Sequence, residues 1–167
     1  RQLQRQGAWL TQGNLDHAGG GADLLKQRAV PVWRPHADDG YLLESLPQTA
    51  ASYASYGFPI AEAFVPDGWL SEGGKLKVGA YEFDVLHIPG HTPGHVVFYC
   101  AAEKLLIAGD VLFYESIGRT DFPRGNHADL ISNITGKLLV LPEDTRVIPG
   151  HGRMTTIGHE KRHNPFL

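Results

Sequence analysis

Four apolar stretches of this chain are each followed by a glycine-containing loop that carries histidine or aspartate. The residues displayed in this way are Asp16 with His17, His91, Asp110 and His151. Imidazole and carboxylate groups are ligands that suit Zn²⁺ and neighbouring transition metals. Because rigid strands ending in loops can bring distant parts of a chain together, the pattern predicts a metal site built from four segments.

The elements that must position these residues follow from the spacing of apolar residues. Short β-rich runs separated by glycine, proline or charged turns predict a β-meander from Lys75 onward. The other predicted elements are strands over 8–11, 30–33 and 146–148, helices over 22–28 and 128–139, and two short helical pieces within 42–56, broken at Pro47. We expect one α/β domain over residues 1–167.

The same segments resemble, in order, the motifs of the metallo-β-lactamase superfamily. They are Thr-Gln-Gly-Asn-Leu-Asp-His at 11–17, Pro-Gly-His-Thr-Pro-Gly-His at 89–95, Gly-Asp at 109–110 and Pro-Gly-His-Gly at 149–152. The segment Gly-Arg-Thr-Asp-Phe-Pro-Arg-Gly at 118–125 is most similar to the compact glyoxalase II-like hydrolases. The resemblance covers nearly the whole chain and implies an αββα sandwich, with the site at one edge of its paired sheets.

The resemblance also implies a site for two metal ions. By position, Asp16, His17 and His151 correspond to ligands of the second metal of the family, and Asp110 corresponds to the bridge between the two metals. His91 corresponds to a ligand of the first metal. The ligand set of the second metal is therefore intact.

The set for the first metal departs from the family pattern. The family motif is His-x-His-x-Asp-His, whereas Gln12 and Asn14 stand here where the first two histidines belong. Amide oxygens are weaker ligands than imidazole for zinc or iron. We expect a sharply reduced affinity beside His91 and one or two bound ions in total, with Zn²⁺ as the expected metal and Fe or Mn as alternatives.

The family mechanism implied by the resemblance is metal-assisted hydrolysis. A metal lowers the pKa of bound water, so that hydroxide exists near neutral pH and attacks an acyl carbon. Asp16 and Asp110 would orient that hydroxide and handle its proton. The implied substrate is a thioester such as a hydroxyacyl-glutathione, and the damaged first-metal half predicts an impaired enzyme.

Two other functions stay open. The Gly-Arg-Thr-Asp-Phe segment is shared with persulfide dioxygenases, whose iron is held at the first-metal position, and Gln12 argues against that oxidoreductase activity. Gln12 and Asn14 also suit a pseudoenzyme or a metal-depleted variant that retains the fold for binding.

Several residues near the motifs have both a functional and a structural interpretation. Arg119 and Arg124 are candidates for binding an anionic substrate, but a loop-bracing pair of arginine with Asp121 explains them equally well. For His95, a structural hydrogen bond is favoured over metal ligation. An aromatic-rich stretch would either wall a substrate groove or cover the core; its members are Tyr53, Tyr56, Phe58, Phe64 and Trp69.

Composition narrows the choice of partners. A hydrophobic content of 42% with 20% charged residues is typical of a folded globular protein. The net charge of −3 gives no basic field for nucleic acid, and no apolar run is long enough to span a membrane. The single Cys100 cannot form an internal disulfide, which favours a cytoplasmic protein. The expected partner is a small-molecule thioester.

The chain begins at Arg1, within residues 1–6 that have the character of a helix end. Family members usually start with additional strands before this point. We therefore expect that N-terminal strands are missing from this sequence, or that a partner covers an unpaired sheet edge, for example in a homo-oligomer.

Overall fold

Two β-sheets lie face to face, and helices cover the outer surface of each sheet. The computed structural model describes residues 7–27, 30–65 and 67–167, so the helix end predicted at residues 1–6 lies outside the described residues. Within the described ranges, none of the helices has the length and apolar character needed to cross a membrane. The architecture is the αββα sandwich implied by the resemblance.

The smaller sheet contains three parallel strands in the order β1-β2-β3. Parallel neighbours require crossover connections, and helices supply them here. In chain order the elements are β1 Ala8–Trp9, α1 Leu15–Ala18, α2 Gly21–Gln27, β2 Val32–Arg34, a 3₁₀ turn at Ala37–Asp39, α3 Gly40–Glu44, α4 Leu46–Tyr53, a 3₁₀ turn at Ala54–Tyr56 and β3 Gly68–Trp69.

The larger sheet has six strands in the order β11-β10-β7-β6-β5-β4, and β8 pairs with β9 in a separate hairpin. Strands β4 to β7 form an antiparallel meander, which confirms the predicted β-meander, and β10 lies parallel to β7. The elements are β4 Lys75–Val78, β5 Tyr81–His87, β6 Val96–Cys100, β7 Leu105–Gly109, β8 Leu112–Phe113, β9 Ser116–Ile117, α5 His127–Asn133, a π-helical turn at Ile134–Leu138, β10 Arg146–Pro149, β11 Thr155–Thr156 and α6 Ile157–His163.

Strand β6 shows why the sheets are covered on both faces. Successive side chains of a strand point to opposite faces, and this strand is apolar throughout. Val96 and Phe98 pack between the sheets, where the Phe98 ring centre lies 5.7 Å from that of Trp9. Val97 packs on the other face in a cluster with Leu130 of α5. The large sheet is therefore the central layer between two cores.

The structure corrects several predicted boundaries. The break predicted at Pro47 lies at Ser45, because Pro47 occupies the first turn of α4, where its missing N–H leaves no helical hydrogen bond unmade. The strand predicted over 30–33 is β2, displaced towards Arg34. The helix predicted over 128–139 consists of α5 and a π-helical turn, closed by a bond from the Leu139 N–H to the Ile134 carbonyl.

The tight approach of α5 to the loop after β5 generates a stability prediction. Gly90 has φ +139°, and an added Cβ would lie 2.4 Å from Leu130 Cβ and 2.6 Å from Leu130 N. Gly90→Ala should lower the free energy of unfolding by about 2–6 kcal/mol, because backbone strain and overpacking each cost about 1–3 kcal/mol. Urea unfolding measures this change. Gly20→Ala is the control, since nothing lies within 4 Å of an added Cβ there; equal losses for both variants would contradict the packing argument.

Candidate metal centre

Four strand-end loops supply the predicted site, and they meet at one edge of the sandwich. Strands β7 and β10 are parallel neighbours, so their carboxyl ends lie together, and Asp110 and His151 follow these ends. The residues just before them are joined by a backbone hydrogen bond of 2.7 Å. Asp16 and His17 lie on α1, shortly after β1. The structure therefore brings the whole second-metal set together.

The donor atoms of Asp16, His17, Asp110 and His151 lie within 4.8 Å of one another. His17 Nε2 is 3.1 Å from Asp110 Oδ2, and His151 Nε2 is 3.0 Å from Asp16 Oδ2. Asp110 is buried, whereas 60% of the His151 side chain and 41% of the Asp16 side chain are exposed. The cluster has protein on one side and solvent on the other, which leaves coordination positions for water or substrate.

Two further observations fit a cation at the group formed by Asp16, His17, Asp110 and His151, which we call the metal cluster. Asp110 Oδ1 is buried and has no hydrogen-bond partner among the described residues, although buried polar atoms normally have one. Gly150 lies against the same atom, since a Cβ at this position would be 2.3 Å from Asp110 Oδ1. Two imidazoles and two carboxylates form a donor set suited to zinc, iron or manganese. The residues present therefore fit a metal ion.

The charges of the metal cluster are strongly coupled. Burial opposes ionisation of Asp110, but the hydrogen bond from His17 and the nearby imidazoles outweigh it and lower the pKa of Asp110. Burial also favours the neutral form of His17, yet its bond to Asp110 and the charges of Asp110 and Asp16 raise the pKa of His17. These directions keep Asp110 ionised and favour a positive charge beside its carboxylate.

Amide side chains fill the first-metal half. His91 lies 3.7 Å from Asp110 Oδ2, and its Nδ1–H donates to the Arg119 carbonyl at 2.7 Å, which leaves Nε2 of a neutral ring as an acceptor. Asn14 Nδ2 donates to that Nε2 at 3.2 Å and to Gln12 Oε1 at 2.8 Å. These residues form a poor site for a first metal, because two amides stand beside His91 where imidazoles would be stronger ligands. Ligation by His91 stays a prediction.

His95 positions Asp110 without joining the metal cluster. Its ring is fully buried, and Nε2 accepts a hydrogen bond of 3.0 Å from the Asp110 N–H. Burial holds the pKa of His95 well below its ordinary value, so the ring remains a neutral acceptor. This is the structural hydrogen bond predicted for His95.

Asp39 is a positioning residue that the sequence did not reveal. Its buried carboxylate accepts hydrogen bonds from Gly13 N at 3.0 Å, Thr92 Oγ1 at 2.8 Å and Gly94 N at 2.6 Å. Burial raises the pKa of Asp39 despite these bonds, which oppose the increase. In the sequence, two aspartates before Gly40 indicate only a turn, and nothing local announces the three long-range partners.

The two candidate substrate-binding arginines are held by neighbours. Arg119 donates two hydrogen bonds to Asp121, at 2.6 and 2.7 Å, and these bonds lower the pKa of Asp121 to about 2. The Arg119 guanidinium also lies 4.4 Å from the Phe122 ring centre. Arg124 lies 4.9 Å from the Tyr41 ring centre. The bracing pair expected of Arg119 is present, and substrate binding by either arginine stays a prediction.

His36, Asp38 and His87 form a second group whose potential donor atoms lie within 4.8 Å. The two imidazole rings are stacked, with centres 4.2 Å apart and an interplanar angle of 17°. Their in-plane lone pairs therefore run side by side instead of converging on one ion. His87 Nε2 also lies 2.9 Å from the Pro93 carbonyl, to which it donates. We assign a structural role to this group.

Comparisons with known proteins agree with the fold. A sequence model of the metallo-beta-lactamase superfamily matches residues 7–151. Hydroxyacylglutathione hydrolase GloC of Haemophilus influenzae is 48% identical over 159 residues, which are 95% of this chain and 74% of that protein. The relative is similar over almost the whole of this chain.

Two solved structures share the architecture. BLEG-1 B3 metallo-beta-lactamase superposes with a TM-score of 0.85 at 41% identity, over 96% of this chain and 76% of that chain. TTHA1623 in a di-iron-bound form gives a TM-score of 0.86 at 39% identity, over 99% of this chain and 79% of that chain. Since the family match spans most of the sequence and the donor cluster provides the chemistry it requires, the chain belongs to the metallo-β-lactamase superfamily and is a metal-dependent hydrolase.

Proposed function

We propose that this chain hydrolyses a thioester such as a hydroxyacyl-glutathione. The observation that carries the proposal is the metal cluster, which opens on its exposed side into a cleft of about 410 Å³. Small-molecule sites usually have volumes of about 300–1,000 Å³. The relative GloC, a hydroxyacylglutathione hydrolase, supports the thioester part of the proposal.

The metal cluster supplies both ligands and proton acceptors. Asp16, His17, Asp110 and His151 would hold the ion, with Zn²⁺ as our proposal and Fe or Mn as alternatives; the di-iron form of TTHA1623 supports iron. A bound metal supplies Lewis acidity, which lowers the pKa of water and polarises a carbonyl. This combination is the chemistry that thioester hydrolysis needs.

The two carboxylates have different roles in the proposed reaction. Asp16, at the exposed side, accepts the proton that water loses as its oxygen attacks the acyl carbon. When the carbon–sulfur bond breaks, Asp16 returns this proton to the departing thiolate, so that the products are a carboxylic acid and a thiol. Asp110 remains ionised, since its pKa is lowered, and orients His17 through their hydrogen bond.

The amides of Gln12 and Asn14 affect how well each of the three candidate functions is supported. With the first-metal half filled, one ion would serve the roles that two ions share in a two-metal site, so we propose a slow enzyme. Persulfide dioxygenase activity is less well supported, because Gln12 replaces a histidine that its iron would need. A pseudoenzyme is the third candidate, and metal content separates it from the first.

Removing the charge of Asp110 tests the proposed hydrolysis directly. Asp110→Asn should lower kcat/KM for S-lactoylglutathione by about 10²–10⁴-fold, because a ligand and an orienting carboxylate are lost together. Thiol release is measured with Zn²⁺, Fe²⁺ or Mn²⁺ added in turn. Asp144→Asn is the matched control, because Asp144 pairs with Lys104 at the surface. Equal rates in both variants, or no turnover by the unchanged chain with any metal, would contradict the proposal.

Metal content per chain distinguishes an enzyme from a pseudoenzyme. Elemental mass spectrometry on protein purified without chelator and without added metal should find about one equivalent, since one ligand set is complete. His17→Ala should lose most of this metal, whereas the exposed control His127→Ala should retain it. Essentially no metal in the unchanged chain would favour the pseudoenzyme.

Restoring the family ligands should rebuild the first-metal half. The double variant Gln12→His with Asn14→His should raise metal content towards two equivalents and increase thioester hydrolysis, because imidazoles replace the amides around His91. The control is Gln12→Ala with Asn14→Ala, which removes the same hydrogen bonds without adding ligands. If the histidine variant folds but gains no metal over this control, the damaged-site account is wrong.

A further inference from the structure

A second cavity lies beside the cleft and joins it at the metal cluster. This aromatic groove has a volume of about 350 Å³. Its main apolar walls are Leu15, Tyr41, Leu42, Tyr53, Phe58 and Phe122. Asn14, Asp16 and Phe122 line both cavities, so the groove is continuous with the metal cluster.

Charge distinguishes the groove from the cleft. Among the described residues that line the groove, Asp16 alone is charged, and it stands at the junction with the cleft. Arg119 lines the cleft instead. A glutathione group carries carboxylates and an ammonium, and burying such charges requires paired partners. Arg119 and Arg124 stack on the Phe122 and Tyr41 rings but do not themselves line the groove, so the groove lining suits an apolar group.

Several contacts hold the aromatic walls in place. The Tyr41 hydroxyl donates to the Pro123 carbonyl at 3.1 Å, and the Tyr53 and Phe58 ring centres are 5.8 Å apart. Tyr53 and Phe58 are nevertheless 46% and 41% exposed. Large apolar side chains that stay exposed around a cavity mark binding surfaces. Tyr53 and Phe58 of the aromatic stretch therefore line a cavity, whereas Phe64 packs against the buried helical cluster.

We propose that the aromatic groove binds the acyl arm of the substrate, and that the substrate class is a thioester whose acyl group carries several apolar carbons. This inference rests on the proposed thioester hydrolysis. The arm fills the groove, the carbonyl that it bears reaches the junction at Asp16, and the thiol part occupies the cleft that Arg119 lines. The groove thereby selects acyl length, while the cleft receives the leaving thiol.

A series of acyl lengths on one thiol measures the selection. The substrates are the S-acetyl, S-butanoyl and S-hexanoyl thioesters of N-acetylcysteamine. From acetyl to hexanoyl, kcat/KM should rise about two- to four-fold per added methylene, where four-fold corresponds to about 0.8 kcal/mol for a fully buried CH₂. Over four methylenes the expected rise is roughly 16- to 250-fold.

Two variants and a matched control assign the effect to the groove. Tyr53→Ala removes a wall and Thr49→Phe fills the groove from α4, so both should flatten the length dependence. Tyr81→Ala is the control, because Tyr81 is 47% exposed at the start of β5 and does not line the groove. A flat series in the unchanged chain, or equal flattening by Tyr81→Ala, would overturn the proposal.

A binding measurement separates failure of the groove from failure of the enzyme. Hexanoate and acetate are titrated into the protein as purified and followed by NMR. The carboxylate is common to both acids, so a difference in affinity reports burial of the alkyl arm. We expect hexanoate to bind at least about ten-fold more tightly than acetate. If no thioester is hydrolysed, the proposed function fails, and loss of hexanoate binding in Thr49→Phe still supports the groove. Equal affinities for the two acids overturn it.

Discussion

One buried carboxylate, that of Asp39, joins the two sheets at the edge where the metal cluster lies. Its partners are Gly13, which follows β1 of the small sheet, and Thr92 with Gly94, which lie between β5 and β6 of the large sheet. A buried charge is costly unless donors surround it, so the two loops are bound to one relative position. Gly94 permits the approach, because a Cβ there would lie 2.6 Å from Asp39 N.

Different interactions hold the two halves of the site. The second-metal half is positioned by strand pairing and by His95, which would persist whatever occupied the cluster. In the first-metal half, neutral hydrogen bonds contribute about 0.5–1.5 kcal/mol each, whereas a buried unpaired donor costs about 1–3 kcal/mol. Gln12 Nε2 is such a donor among the described residues. The unpaired Gln12 donor therefore offsets part of the stabilisation from the amide hydrogen bonds.

The sequence was most informative about the site residues that come directly after a strand. Asp16, His17, Asp110 and His151 come together as expected, since apolar runs and glycine loops announce strand ends locally. Asp39 was missed because its role consists of contacts with residues far along the chain, which leave no local pattern. Four short strands could not be predicted from the sequence for a related reason. Each has two residues, which is too few to show a period; they are β3, β8, β9 and β11. Propensity also placed the break at Pro47, although proline is well suited to the first turn of α4.

Arg119 takes part in the site twice, through groups that are chemically independent. Its backbone carbonyl fixes the tautomer of His91, while its side chain pairs with Asp121 beside the cleft. Every amino acid has a backbone carbonyl, so a change of side chain at position 119 leaves the support of the imidazole intact. A substitution at position 119 would therefore alter the surface of the cleft while the backbone that holds His91 stays in place.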